Sequence, residues 1–251
     1  MRIAYFVPGP LSCGPLGPQE VLRRQDYLSR HAFPGTEVVV RETPAGPASV
    51  ESSAEEQLAV PGLLEALPGL CAEGFEGVII GCFGDPGLAA ARELVDIPVV
   101  GPGQASAHLA VQIGDRFGIL TVVDPVVPSI RRQMRTYGLE AMLADVRAVD
   151  VPVLELRERE DEVLATLQQE GNRAVRAGAD VLILGCMTMG FLDVAPRLQA
   201  RLEIPIINPV LAALKSLEGI VGIGLSSSRR SYPTPRKEPC LSGAVELREL
   251  E

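Results

Sequence analysis

Two cysteines stand in the same local setting at two places in the chain. Residues 77–87 read GVIIGCFGDPG and residues 180–190 read DVLILGCMTMG. Cys82 and Cys186 thus each follow an apolar run and a glycine, just ahead of a short turn and a helical pattern. One cysteine at the end of a buried strand reads as a small core hydrophobe. A pair carried by a repeated element reads as chemistry. A sulfur at a strand–turn–helix junction faces free N–H groups and the positive end of the helix dipole, which favour thiolate. Gly81 and Gly185 remove bulk beside each sulfur and let a ligand approach. Two opposed thiols suit inversion of a carbon acid. A thiolate removes a proton from one face of a planarising centre, a thiol returns one to the other face, and reversal exchanges the roles. The carbanion or enolate between them needs fixed donors, which backbone amides at the two turns can supply.

The repeat reaches past the cysteines. LVDIPVVGPGQASAHLA (94–110) follows the first and LEIPIINPVLAALKSL (202–217) the second. The cysteines lie 104 residues apart and the Ile97-Pro98 and Ile204-Pro205 pairs 107 apart, which implies two related lobes. Continuous apolar runs at 3–7, 37–40, 77–80, 97–100, 117–123, 181–184 and 204–207 read as strands buried on both faces. Helical patterns lie between them at 17–31, 54–73, 86–95, 105–114, 126–137, 159–177, 194–202 and 209–217. This alternation predicts an α/β fold of two pseudosymmetric Rossmann-like lobes with mainly parallel sheets. Ligands bind beyond the carboxyl ends of such strands, so the active site is expected in the interlobe cleft. The expected division is 1–100 plus 208–251 for the first lobe and 101–207 for the second.

Composition narrows the chemistry. The chain has 251 residues, 47% hydrophobic and 22% charged, enough to bury a core. A net charge of −9 argues against nucleic-acid or anionic-membrane partners, and no apolar stretch approaches the ~18 residues that span a bilayer. The opening MRIAYFVPGP has one arginine and an apolar run cut by Pro8. It does not read as a secretory signal, so a soluble, cytoplasmic protein is expected. Two histidines, His31 and His108, and five cysteines without a CxxC pair give neither a zinc site nor a disulfide framework. The lysines are Lys215 and Lys237, the second in a polar tail, which leaves no desolvated lysine for a Schiff base. VPGPLSCGP after the first strand is not a dinucleotide fingerprint. No cofactor and no metal are expected, and the partners expected are a small-molecule substrate and further copies of the chain in a homo-oligomer.

The strings GCFGDPGLAAAR, GADVLILGCMTMG, VPGLLEALPGL and YPTPR resemble the aspartate/glutamate/hydantoin racemase superfamily, and within it the hydantoin (and allantoin) racemase branch. The resemblance runs from about residue 1 to 236, with Cys-Phe-x-Asp-Pro-Gly its most specific element. It implies two pseudosymmetric lobes, a cofactor-independent reaction, and Cys82 and Cys186 as the acid/base pair. Where that family has Asn-Pro-Asn-Thr/Ser, this chain has Val7-Pro8-Gly9-Pro10. Where it has a Cys-Ala-Gly-Met-like turn, this chain has Cys186-Met187-Thr188-Met189.

The substrate-binding candidates are Gly9, Phe83, Gly84, Thr121, Met187 and Thr188. Thr121 matches a family position that lines the cleft, and Thr188 either bonds a substrate oxygen or caps its own helix. Ser12 lies in the loop after the first strand, and Asp85 is expected to cap a helix starting at Pro86. The turns VPGPLS, GCFGD, LTVVD and GCMTMG contain no Arg or Lys, which favours a neutral or cyclic-imide ligand over free aspartate or glutamate. The expected function is a racemase or epimerase inverting a carbon alpha to a carbonyl, on a hydantoin-like or amino-acid-derived substrate. Aspartate or glutamate racemisation, decarboxylation, maleate-type cis–trans isomerisation and non-catalytic binding remain alternatives.

Overall fold

Val, Ile, Leu and Phe crowd the strands because both faces of each sheet are covered. The computed structural model describes residues 1–236. Four parallel strands, β1 (Arg2–Val7), β2 (Glu37–Glu42), β3 (Gly77–Ile80) and β4 (Val99–Val100), form one sheet in the order β2-β1-β3-β4. Four more, β5 (Phe117–Thr121), β6 (Leu143–Ala148), β7 (Val181–Leu184) and β8 (Ile206–Ile207), form a second in the order β6-β5-β7-β8. Every pairing is parallel. The central strands β3, β5 and β7 are buried along their whole length.

The repeat is visible at the level of single hydrogen bonds. Gly81 N donates to Phe6 O at 2.7 Å and Gly185 N to Leu120 O at 2.6 Å, each tying a cysteine turn to the next strand. Val78 N donates to Pro98 O and Leu182 N to Pro205 O, both at 3.0 Å, which gives the two Ile-Pro pairs the same place in their sheets. The glycines before the cysteines are required by these neighbours. A Cβ would stand 2.8 Å from Phe6 O at Gly81, and 2.8 Å from Ile119 Cγ2 at Gly185. The close approach there is by the adjacent strand, not by a ligand.

Among the described residues ten α-helices cover the sheets. They are α1 (Gly17–His31), α2 (Ser53–Leu58), α3 (Val60–Ala72), α4 (Leu88–Leu94), α5 (Pro102–Ile113), α6 (Val127–Thr136), α7 (Glu160–Arg176), α8 (Met187–Phe191), α9 (Ala195–Leu202) and α10 (Pro209–Gly222). The helix expected over 54–73 is two. Pro61 lacks an N–H to continue the first ladder, and α2 starts on a capping box in which Ser52 and Glu55 bond each other. Strand β6 was not foreseen: LADVRA breaks the apolar run with Asp145 and Arg147, as an edge strand half open to water does. Helix α10 returns to the first sheet, where Leu217 fills the space above Gly77. The segment after it lies along the first sheet's flank, held by Arg229 to Asp96 and to the Arg92 and Glu93 carbonyls. Lys237 and Cys240 lie outside the described residues. Among the described residues no helix is long and apolar enough to cross a membrane.

Candidate active site

The carboxyl ends of β1, β3, β5 and β7 meet around one cavity of about 130 Å³, similar in size to an engineered cavity of about 150 Å³ that accepts benzene. Cys82 and Cys186 both line it, with Gly9, Phe83, Gly84, Thr121, Met187 and Thr188. All eight residues expected at the site are therefore brought together. The loop between β2 and α2 closes over the top through Pro47, Ala48 and Ser49. Ser12 is elsewhere, donating its hydroxyl to Glu42.

The two sulfurs sit in unlike turns. Cys186 is the residue at the N-cap of α8, without a side-chain capping hydrogen bond, and the backbone amides of Thr188 and Met189 in the first turn are close enough to favour its ionised form. Burial pushes that thiol up, while these amides, the Arg24 charge and the Thr188 hydroxyl oppose the push. After Cys82 the chain runs five residues further before α4 begins, so Cys82 does not cap the helix that follows it. Burial pushes Cys82 up to about 12. The Gly84 N–H opposes the shift, and Glu56, Asp85 and the nearby Cys186 sulfur reinforce it.

Asp85 corrects an expectation. It adopts a left-handed backbone at φ 54°, as Asp tolerates, and its carboxylate turns away from α4. There it accepts from Gly103 N at 2.9 Å and Gln104 N at 2.7 Å, capping α5, and from the Tyr137 hydroxyl at 2.6 Å. Burial pushes its carboxyl up to about 6 despite these three bonds. Gln133 of α6 donates to the Phe83 carbonyl at 2.8 Å, so the first cysteine turn is braced from the second sheet's helices. Phe83 itself is buried against Ile130 and Met134, as much core as cavity wall.

Reading the turns missed a cation. Arg24, four residues after Glu20 on α1, reaches the cavity. It donates to Glu20 at 2.8 Å and to Thr188 Oγ1 at 3.1 Å. Glu20 and Arg24 are 1% and 4% exposed, and Glu20 is shared, since Arg23 donates to both of its oxygens and Arg157 lies 3.5 Å away, so the cluster keeps a net positive charge. Burial pushes Glu20 up, but Arg23 and Arg24 outweigh it and hold its carboxyl low. The signal was an i, i+4 acid–base pair, which on most helices marks a solvated face. Glu56 also lines the cavity, and burial raises its carboxyl against the pull of Arg132. Below the floor the Tyr5 hydroxyl is fully buried and has no hydrogen-bond partner. Among the described residues no cluster of His, Cys, Asp and Glu has the make-up of a metal site.

Comparison with known proteins agrees with this geometry. A model of the Asp/Glu/hydantoin racemase family matches residues 14–217. Hydantoin racemase from Rhizobium meliloti is 37% identical over 211 residues, covering 83% of this chain and 86% of that protein. Hydantoin racemase from Pseudomonas sp. (strain NS671) is 35% identical over 213 residues, 84% of each chain. Allantoin racemase from Klebsiella pneumoniae superposes with a TM-score of 0.87 at 32% identity, over 97% of this chain and 96% of that one.

Proposed function

The chain belongs to the Asp/Glu/hydantoin racemase family and is an isomerase of the racemase class, and we propose that it inverts a carbon alpha to the carbonyl of a hydantoin-like ring with Cys82 and Cys186 as paired acid and base. The observation that carries this is the convergence of both cysteine turns on one cavity. In the forward step one thiolate takes the ring C–H proton and the electron pair passes into the carbonyl as an enolate. The opposite thiol then gives its own proton to the other face and becomes the thiolate. The roles have exchanged and no proton is gained or lost. The enolate charge develops beside the Arg24 guanidinium and the Thr188 hydroxyl, which line the same cavity.

The cavity's charges support a neutral ring over a free amino acid. The lining carries one cation, Arg24, already bonded to Glu20, and one carboxylate, Glu56, so its charges balance without an α-carboxylate. Gly9, Phe83, Gly84, Thr121, Met187 and Thr188 are the proposed substrate contacts. The proposal extends to a cytoplasmic homo-oligomer working without cofactor. The proposed division is 1–100 plus 208–251 for one lobe and 101–207 for the other, of which 237–251 lie outside the described residues.

Chiral chromatography of 5-substituted hydantoins, allantoin and free amino acids tests the substrate. Cys82→Ser and Cys186→Ser test the mechanism, each expected to lose about 10²–10⁴-fold in racemisation. The remaining thiol still deprotonates the enantiomer that presents its hydrogen to that side and returns a solvent-exchanged proton to the same face. In deuterated water, above the enzyme-free rate, each variant should label one enantiomer only, and the two variants opposite ones. Near wild-type racemisation by either variant, or equal labelling of both enantiomers, sinks the mechanism.

A further inference from the structure

We propose that Arg24, anchored by Glu20 and hydrogen-bonded to Thr188, makes Cys186 rather than Cys82 the sulfur of the pair that ionises first. This rests on the two-cysteine reading above and adds a direction to it.

A buried ion pair costs desolvation that its own attraction does not always recover, so Glu20 and Arg24 invite a functional account. Arg24 spends Nε on Glu20 and extends Nη2 to Thr188, across 164 residues of sequence. Its guanidinium lies 4.9 Å from the Phe191 ring centre, which fixes its tilt. Thr188 accepts from Arg24, so its own hydroxyl proton is free to be donated, and it stands two residues after Cys186 in the same turn, both residues lining the cavity.

Charges around the two sulfurs are one-sided. Facing Cys186 are the Arg24 cation from α1, the Tyr5 hydroxyl from β1, the Thr188 hydroxyl and the Cys82 sulfur. Facing Cys82 are the Glu56 carboxylate from α2, the Asp85 carboxylate from its own turn, and the same Tyr5 and Cys186 groups. Opposite charge favours the ionised form and like charge opposes it, so a single negative charge shared by the pair resides on Cys186. Such a thiolate also gives the unpartnered Tyr5 hydroxyl an acceptor within electrostatic reach. Arg24 is thus a positioning residue for the base, and Glu20 holds it in place.

Steady-state rates cannot reveal this asymmetry, because enantiomers are equal in free energy and kcat/KM must be the same in both directions. The thiols of the free enzyme can. Brief iodoacetamide pulses across a pH series, with Cys82 and Cys186 peptides separated by mass spectrometry, give each sulfur its own midpoint. The Cys186 midpoint should fall below that of Cys82. Thr188→Val should raise the Cys186 midpoint by about one unit and leave that of Cys82 in place, while Thr188→Ser, which keeps the hydroxyl, restores it. Arg24→Gln alone strands Glu20 in the interior, so the neutral pair Glu20→Gln with Arg24→Gln is the matching variant, and it should act as Thr188→Val does. A lower midpoint at Cys82, or a Cys186 midpoint that neither change moves, overturns the proposal. Midpoints that do not shift when a hydantoin ligand is added, with neither cysteine protected, overturn instead the two-cysteine reading beneath it.

Discussion

Asp85 joins three elements through one buried carboxyl, and its titration is measurable. The side chain is 5% exposed and accepts from α5 twice and from Tyr137 once. Burial moves its pKa from 3.8 to about 6, a rise of roughly two units or ~3 kcal/mol at 1.36 kcal/mol per unit. A carboxyl raised in the folded state binds its proton more tightly there than when unfolded. Its contribution to stability is full below pH 3.8, falls as the unfolded chain ionises, and is gone once pH passes about 6. Asp85→Asn is neutral like the protonated form, keeps one oxygen to accept from one of the two α5 amides, and tolerates the left-handed backbone. At pH 4 the variant should be about 1 kcal/mol less stable than wild type, the usual cost of an impaired cap. Between pH 4 and 7 it should gain ~3 kcal/mol relative to wild type, since it escapes the penalty of the buried charge. Urea titrations of both proteins at half-unit pH steps give the difference, and subtraction cancels the other carboxylates. A difference that stays flat, or that moves the other way with rising pH, refutes the reasoning. It would mean that the Gly103 and Gln104 amides outweigh desolvation and keep Asp85 ionised.

Gly103→Ala places a Cβ 2.3 Å from the Phe83 carbonyl and 2.4 Å from Gln133 Nε2, so α5 must shift against the first cysteine turn. It should cost about 1–3 kcal/mol in urea denaturation and lower kcat with it, because Cys82 rides on that turn. An unchanged midpoint and rate would show that the brace is idle. Overnight chelation should leave racemisation unchanged, as a two-thiol proton transfer requires; loss on chelation and recovery with a divalent ion would contradict it.

The parts of this molecule that were legible in the sequence are those set by buried backbone. Runs such as VIIG and LILG announce parallel strands because no polar alternation interrupts them, and the shared Gly-Cys and Ile-Pro landmarks announce the duplication. The eight cavity residues followed from the strand ends, since a parallel sheet delivers its carboxyl ends to one side. What escaped depends on side chains crossing between elements. Asp85 reads locally as a cap for the next helix, yet its left-handed φ aims it at α5, and nothing in GDPG tells the two apart. Arg24 lies nowhere near a strand end in sequence and becomes a cavity group only because α1 packs over the cysteine turn of the second sheet. Strand β6 escaped for the opposite reason, being too polar to look buried.

The duplication and its imperfection have different consequences for a racemase. Inversion needs two equivalent approaches to one carbon, and the matched Gly81 and Gly185 hydrogen bonds set the two cysteine turns at equivalent sheet positions. A perfectly symmetric pair would leave the resting charge undecided between the sulfurs and cost both of them the same desolvation. The observed turns break that tie with different capping. Cys186 keeps the amides of α8, whereas the first turn gives its acid, Asp85, to α5 and leaves Cys82 beside two carboxylates. The same departure that braces one sheet's helices against the other therefore raises the proton affinity of one thiol. On the two-cysteine reading the turn Phe83-Gly84-Asp85 thus serves both the stability of the joint and the higher proton affinity of Cys82, while Arg24 and Thr188 act on Cys186 from the other side.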